Sequence, residues 1–224
     1  MPVMIKHEAP SCLQDIFRKE LVPCTSRHLR KGELLWHDKE PHRYCYLIRT
    51  GLIKLYVVTA EGREKTLFFY TNGTLLGFQN LSNVKQTITA AVAMLPTTLY
   101  ATDFARFYGF ILNDYKYTRA LTEYLFYHMA AEAQEIVDVS LSGTDERLAA
   151  LLVILAEEYL GCCQGEVLIP LNNDELASMI GACRNSIYNA LSGFQKQKLI
   201  RKHRGNVEIV DLERLREMQK TRRT

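Results

Sequence analysis

Three residues near the C-terminus, Ala177, Gly181 and Ile187, are spaced as in two helices that cross at a tight turn. The first helix needs a small side chain where the two cross, which Ala177 supplies. The turn needs a residue that tolerates a positive φ, which is Gly181, and the second helix must bury a branched residue, which is Ile187. This spacing predicts a helix-turn-helix, a unit whose second helix can lie in a groove of duplex DNA.

The sequence around this segment supports the prediction. Asn172 and Glu175 form a capping-box pattern, so a helix is expected to begin at about Asn173. Residues 171–224 hold 11 Lys or Arg against 6 Asp or Glu, whereas residues 1–170 hold 17 against 19. A net charge of +5 in the C-terminal quarter favours a polyanionic partner such as duplex DNA. The alternatives are a helical pair used only for packing and an adaptor that binds protein through these helices.

A β-hairpin is predicted directly after the second helix. Residues 199–203 and 207–210 are rich in branched side chains and flank a turn that contains Gly205. Such a hairpin would be the wing of a winged helix. Lys202, His203 and Arg204 would then lie near DNA phosphates, although a basic hairpin tip can also be merely solvated.

Short runs of β-branched and aromatic residues fill much of the N-terminal half. Glycines separate several of them at intervals of roughly ten residues, which is typical of an antiparallel sandwich or barrel. The predicted strands are 34–36, 44–48, 52–59, 65–70, 88–93 and 97–100.

Residues 114–141 contain no Gly or Pro and predict one long helix of roughly 40 Å. Its residues recur every three or four positions on one face, which is typical of a helix that packs along its length. This face comprises Leu121, Leu125, Met129, Ala133, Ile136 and Ser140. The helix is longer than a small barrel needs, so we expect its surplus apolar face to meet a second copy of the chain. The alternative is a helix packed wholly on its own domain.

Residues 142–145, Ser-Gly-Thr-Asp, break the long helix and offer capping groups for the next one. A helix over 146–160 and a short strand over 167–170 are expected before the helix-turn-helix. The predicted fold class is α+β. The predicted domains are 1–113, which binds an effector, 114–141, which dimerises, and 142–224, which binds DNA.

Composition narrows the class of protein. Charged residues interrupt the first twenty positions, and the longest apolar run, 148–156, is too short to span a bilayer. We therefore expect a cytoplasmic protein without a membrane partner. The six cysteines show no regular spacing, so free thiols are expected in that compartment.

Over nearly its whole length the chain resembles the superfamily of the cyclic-AMP receptor protein and the oxygen regulator FNR. The segments that carry the resemblance are KGELLW, YLIRTGLIKLYVVTAEGREKTLFFYTNGTLLG, DERLAALLVILAEEY and LNNDELASMIGACRNSIYNALSGFQKQKLI. The resemblance implies an N-terminal jelly roll (double-stranded β-helix) that binds a small-molecule effector, a dimerisation helix and a C-terminal winged helix. It also implies a homodimer on a palindromic operator, with RNA polymerase as a further partner.

The resemblance assigns base reading to Arg184, Asn185 and Asn189, with Ser186 beside them; Asn173 and Tyr188 complete the candidate DNA contacts. Arg184 can pair bidentately with guanine, whereas Asn suits the N6 and N7 edge of adenine. The family's usual glutamate and arginine are replaced by Asn185 and Asn189 here. We therefore expect a palindrome richer in A·T pairs than the usual family site.

The effector that the resemblance suggests first, a cyclic nucleotide, does not fit these residues. Its binding positions match Gly77, Phe78, Gln86 and Thr87, so the glutamate for ribose and the arginine for phosphate are both missing. Cys12 and Cys24 are too far apart for the iron–sulfur branch. Gly77 and Gln79 replace the ligands of the haem branch. No cofactor is expected.

An aromatic pocket between the barrel and the long helix remains. It resembles the branch that senses halogenated aromatic acids, although plain core packing is the alternative. The candidate effector-binding residues are Phe69, Tyr70, Gly77, Phe78, Gln79, Gln86, Thr87, Tyr124, Tyr127 and His128.

An enzymatic role is not supported by the motifs. Metal-dependent cupins share the jelly-roll architecture but need two or three converging histidines and a carboxylate, and no such pattern, triad or P-loop is present. His37, His42 and Cys45 match no familiar metal-ligand spacing, so no metal site is expected. The adjacent Cys162 and Cys163 suit either a redox switch or simple packing at a helix end.

Overall fold

The computed structural model describes residues 3–5, 8–38, 43–58, 64–78, 89–141, 143–159 and 166–220. The chain divides into two compact units, Val3–Gln134 and a second unit that begins at Glu135. The division falls inside the long helix. The domain limits 1–113, 114–141 and 142–224 stay a prediction.

The N-terminal unit contains two β-sheets. The strands are β1 (Val3–Ile5), β2 (Cys24–Leu29), β3 (Leu34–Trp36), β4 (Tyr44–Thr50), β5 (Ile53–Val58), β6 (Glu64–Tyr70), β7 (Leu75–Leu76), β8 (Ala90–Ala93) and β9 (Thr97–Asp103). One sheet has the order β1-β6-β5-β8-β3 and the other β2-β9-β4-β7. Pairing is antiparallel except between β1 and β6. This architecture confirms the predicted antiparallel β-domain.

Alternation along the strands produces two separate cores. In β4, Tyr46 and Ile48 join a cluster that collects buried residues of both sheets, including Trp36 and Leu55. The intervening Cys45 and Leu47 join a second cluster formed with the helices. Because successive side chains of a strand point to opposite faces, one strand contributes to both cores.

Three helices supply the second core. They are α1 (Ser11–Arg18), α2 (Phe104–Leu112) and α3 (Tyr115–Leu141). Phe17 of α1 and Phe107 of α2 pack with ring centroids 5.5 Å apart, and Leu121 and Tyr124 of α3 are buried in the same cluster. The first turns of α3 therefore cover one sheet of their own domain.

The face of α3 that remains exposed differs from the predicted stripe. Leu121 is buried and Leu125 is partly buried against the domain, so these two residues of the predicted stripe pack on their own chain. The exposed apolar side chains are Phe126 (65% exposed) and Met129 (64%). Because the first turns of α3 cover a sheet of their own domain, Leu121 lies on the covered side of the helix and the exposed side is a different one. Ala133, Ile136 and Ser140 lie beyond the side chains that the structure describes.

The C-terminal unit contains helices around a small sheet. Its elements are α4 (Thr144–Ile154), which continues as a π-helical turn over Leu155–Tyr159, β10 (Val167–Ile169), α5 (Asn173–Ile180), α6 (Arg184–Lys196), β11 (Ile200–His203), β12 (Asn206–Ile209) and α7 (Leu212–Lys220). The sheet order is β10-β12-β11, so the predicted hairpin pairs with the predicted short strand. This is a winged helix-turn-helix arrangement.

Candidate nucleic-acid interface

The helix-turn-helix has the geometry that its residue spacing predicts. The side-chain oxygen of Asn172 accepts hydrogen bonds from the backbone amides of Asp174 (2.9 Å) and Glu175 (3.0 Å), and the Glu175 carboxylate accepts from the Asn172 amide (2.8 Å). This capping box fixes the start of α5. Gly181 adopts φ 62°, the left-handed conformation that the turn requires, and Ile187 is fully buried between the helices.

Helix α6 presents a polar face. Ile187, Ala190, Leu191 and Phe194 are buried, while Arg184 (76% exposed), Asn185, Tyr188 (59%) and Asn189 are exposed. An exposed polar face on the second helix of such a pair has the shape and the donors that base edges in a major groove require. The structure therefore places four of the candidate DNA-binding residues on one surface.

Ser186 differs from its neighbours. It is half-buried, and its hydroxyl lies 3.2 Å from the sulfur of Cys183, the residue that caps α6. This contact is also the main cause that lowers the pKa of the exposed Cys183 thiol. Ser186 thus supports the start of the helix.

Arg184 does not extend freely into solvent. Its guanidinium forms a two-point ion pair with Asp174, in which Nε faces Oδ1 and Nη2 donates to Oδ2. Asp174 stands in the first turn of α5, ten residues before Arg184. The ion pair therefore joins the start of the first helix to the start of the second.

The wing places its cations in different surroundings. The Lys202 amine lies over the Tyr188 ring, 4.5 Å from its centroid, and donates a 2.8 Å hydrogen bond to the Ser192 hydroxyl. Partial burial lowers the pKa of Lys202. His203 Nε2 lies 2.8 Å from the Glu208 carboxylate, whereas Arg204 is exposed in the hairpin turn. Exposure leaves Arg204 accessible to a phosphate, and the phosphate contact stays a prediction.

A groove of about 330 Å³ lies between α5, α6 and the wing. Asn173 lines it together with Tyr188, Lys202 and His203. Four candidate DNA-binding residues from three elements therefore border one depression. Its lining mixes polar side chains with the Tyr188 ring and Val207, and Asn173, Lys202 and His203 supply groups that could contact a sugar–phosphate backbone.

In the N-terminal unit, four of the candidate effector residues come together. His128 lies 4.3 Å from Tyr124, 6.1 Å from Phe78 and 6.5 Å from Tyr70, measured between ring centroids. The Tyr124 hydroxyl accepts a 3.1 Å hydrogen bond from the Leu75 amide, and burial raises the pKa of this phenol. These aromatic rings pack against one another, so they act as core in this structure.

Three other candidates do not join that cluster. Phe69 follows strand alternation and points to the face opposite to Tyr70, so it does not join these rings. Tyr127, which directly precedes His128 in α3, is 51% exposed. Gly77, at φ 88°, allows close backbone approach, because a Cβ there would stand 2.3 Å from the Tyr44 carbonyl oxygen. Gln79, Gln86 and Thr87 lie outside the described residues.

The structure also adds residues that the sequence analysis did not select. Asp174 contacts Arg184, Ser192 contacts Lys202, and Glu208 contacts His203. Opposite charge is the signal that could have marked Asp174 and Glu208. No sequence pattern marks Ser192, because the contact depends on how the hairpin folds back onto α6.

The described cysteines Cys12, Cys24, Cys45 and Cys183 are free thiols, and Cys45 is buried. Within the described ranges, no group of three or more His, Cys, Asp or Glu side chains is arranged to hold a metal ion. His42, Cys162 and Cys163 lie outside those ranges. Among the helices described, none combines the length and apolar character needed to cross a membrane.

Two family models match this chain. One describes a cyclic nucleotide-binding domain and matches residues 26–114, and the other describes a Crp-like helix-turn-helix domain and matches residues 146–218. Together they cover both of the units described above. This pair of domains defines a transcription regulator with an effector-binding domain and a DNA-binding helix-turn-helix.

Individual proteins are similar to the chain over most of its length. The transcriptional activator protein Anr of Pseudomonas protegens is 22% identical over 213 residues, 94% of this chain and 84% of Anr. The nitrogen fixation regulation protein FixK of Rhizobium meliloti is 26% identical over 171 residues, 76% of this chain and 75% of FixK.

Solved structures share the fold. A transcriptional regulator of the CRP/FNR family from Thermus thermophilus has a TM-score of 0.73 at 23% identity, covering 88% of this chain and 100% of its own. FixK2 from Bradyrhizobium japonicum has a TM-score of 0.73 at 19% identity, with coverages of 88% and 98%. The chain belongs to the Crp/Fnr family of transcription regulators, and the relatives that it matches are transcription regulators rather than enzymes.

Proposed function

We propose that the chain acts as a homodimer that places two copies of α6 in successive major grooves of a palindromic operator. The observation that carries this proposal is the exposed set Arg184, Asn185, Tyr188 and Asn189 on a helix whose opposite face is buried. In such dimers the half-sites lie about one helical turn, ~34 Å, apart. The functional domains would be 1–113, 114–141 and 142–224.

The dimer would form along α3. Phe126 and Met129 are large apolar side chains that the described part of the domain leaves exposed on this helix. Sedimentation of the Phe126→Glu variant tests this proposal, with Tyr115→Glu, at the exposed start of the same helix, as the matched control. The first variant should be monomeric and the second dimeric; a dimeric Phe126→Glu protein would contradict the proposal.

The operator would be a palindrome richer in A·T pairs than is usual in the family. Arg184 supplies the donors for one guanine in each half-site, and Asn185 and Asn189 supply amides for adenine. Selection from a random duplex pool tests this. A returned site with guanine and cytosine at the positions that contact both asparagines would contradict it.

The effector would bind in the N-terminal domain and would not be a cyclic nucleotide. In the family resemblance Gln86 and Thr87 match the positions that bind the phosphate, and neither side chain is a cation. The rings of Tyr70, Phe78, Tyr124 and His128, which pack on one another in this structure, would have to separate to stack on an aromatic acid. Calorimetry with cyclic AMP and with halogenated phenolic acids tests this. Binding of the phenolic acid alone supports the proposal, and tight cyclic-AMP binding overturns it.

RNA polymerase would be the partner on DNA, as expected for a regulator of this family. A transcription assay on a promoter that carries the selected operator tests this. The amount of transcript should change when the protein is added, and it should not change when the operator is scrambled.

A further inference from the structure

The ion pair between Asp174 and Arg184 joins two helices, because Asp174 belongs to α5 and Arg184 to α6. Both residues lie on the surface proposed to face DNA. Asp174 is held in place by the capping box, because its amide donates to the Asn172 side chain. Arg184 is the first residue of α6 and has a mostly exposed side chain. A rigidly placed carboxylate therefore contacts the long, flexible side chain expected to read a base.

The way in which the carboxylate contacts the guanidinium decides which donors stay available. Nε faces Oδ1 and Nη2 donates to Oδ2, so Asp174 occupies one lateral edge of the guanidinium. A guanidinium has five N–H donors. The contact with Asp174 does not use the outer edge of the guanidinium, which carries one N–H on each of Nη1 and Nη2. That edge can pair bidentately with guanine O6 and N7.

We propose that Asp174 is a specificity-determining residue that holds the Arg184 guanidinium in the orientation required for guanine. An unrestrained arginine side chain loses rotamer freedom when it binds a base, and it can instead reach a phosphate. When Asp174 fixes the Arg184 side chain before DNA binds, less rotamer freedom is lost on binding, and the side chain is kept from reaching a phosphate of the DNA backbone. This inference rests on the proposed binding of α6 in the major groove.

The opposite reading is that Asp174 competes with DNA for Arg184. A carboxylate on a surface that faces phosphates also opposes binding of every sequence. The two readings differ in one observable. If Asp174 orients Arg184, its removal lowers the preference for guanine; if it sequesters Arg184, its removal preserves or raises that preference.

The ion pair is exposed on both sides, and such pairs contribute little to folding. Asp174→Asn should therefore fold normally, which thermal unfolding can verify. Asp174→Glu retains the charge one methylene farther out. Glu213→Gln is a matched control, because it also removes a carboxylate from an exposed ion pair with an arginine, Arg216, on α7.

The experiment measures Kd values of full-length protein at fixed salt for the operator selected by the wild-type chain and for every single-base variant of one half-site. The position read by Arg184 is the one at which Arg184→Ala loses its preference for guanine. In the wild-type protein that preference should be about five- to 150-fold. Asp174→Asn should lower it at least about threefold, and Asp174→Glu should restore part of it.

Two comparisons make the result specific. Glu213→Gln should leave the preference unchanged, and Asp174→Asn in an Arg184→Ala background should change the base preference no further, because that effect passes through Arg184. An unchanged or higher preference in Asp174→Asn would overturn the inference, even if affinity rose for all sequences. A wild-type protein that selects no site at all would instead refute the proposed function.

Discussion

The ammonium of Lys202 lies over the ring of Tyr188, 4.5 Å from its centroid, so a cation of the wing packs on an aromatic residue of the recognition helix. The same amine donates to Ser192, one turn farther along α6. Both contacts hold the hairpin against the helix. From these contacts we expect Lys202 to position Tyr188 rather than to make the phosphate contact that the sequence predicts.

Lys202→Met should therefore leave the salt dependence of DNA binding nearly unchanged. Each phosphate contact contributes about 0.9 to the slope of log K against log salt. Arg204→Ala, at the exposed hairpin turn, is the matched comparison and should lower the slope by about 2, because each subunit of the proposed homodimer loses one phosphate contact. Affinity measured across a salt series checks both variants. A slope reduced equally in the two variants would show that Lys202 binds phosphate.

Gly181→Ala should destabilise the C-terminal unit. Gly181 has φ 62°, and an L-residue with a side chain pays about 1–2 kcal/mol in the left-handed region. Gly193→Ala is the control, because Gly193 lies within α6 with open space around it and should gain about 0.5–1 kcal/mol in free energy of unfolding. Denaturant unfolding measures both changes. Equal effects of the two substitutions would be inconsistent with the turn described above.

The stability of the wing should depend on pH through Glu208. The hydrogen bond with His203 is the main cause that lowers the pKa of Glu208 below its usual 4.5. A carboxyl whose pKa is lower in the folded state than in the unfolded state stabilises the protein at pH values above its unfolded-state pKa. This contribution to stability is lost as the pH falls through the folded-state pKa. The Tm difference between wild type and Glu208→Gln should therefore be largest above pH 4.5 and shrink as the pH falls below it. A Tm difference that does not change with pH would show that protonation of Glu208 does not affect the stability of the folded protein.

Tyr124→Phe should destabilise the N-terminal unit by about 1–3 kcal/mol, because it leaves the buried Leu75 amide without the phenolic oxygen that accepts its hydrogen bond. Tyr115→Phe changes an exposed phenol of the same helix and should be close to neutral. Denaturant titration of both variants measures the difference. Similar stabilities for the two would mean that water satisfies the Leu75 amide.

Much of the fold follows from local patterns in the sequence. The strand at Leu34–Trp36, the uninterrupted helix after Asp114 and the capping box at Asn172 all depend on neighbouring residues, and each was predicted with bounds close to those observed. Helices α1, α2 and α7 were not predicted. They are short, at eight or nine residues, and owe their stability largely to tertiary packing, as Phe17 and Phe107 show.

The site was predictable in its residue types and less so in its contacts. Exposure of Arg184 and Asn189 follows from the periodicity of α6, because Ile187 and Leu191 must face the core. The partners of Arg184 and Lys202 depend on how separate elements meet, which no spacing encodes. Strand parity alone, in contrast, could have separated Phe69 from Tyr70.

Methylation interference at guanine N7 tests whether Arg184 of α6 reads a guanine in the major groove, because N7 lies in that groove and is the atom that Arg184 is expected to contact. The selected operator would be methylated, mixed with wild-type protein or Arg184→Ala, and the bound and free fractions compared. We expect interference at one guanine in each half-site for the wild type, and none at that guanine for Arg184→Ala. Binding that tolerates N7 methylation throughout the site, or interference that is identical in the two proteins, would contradict this expectation.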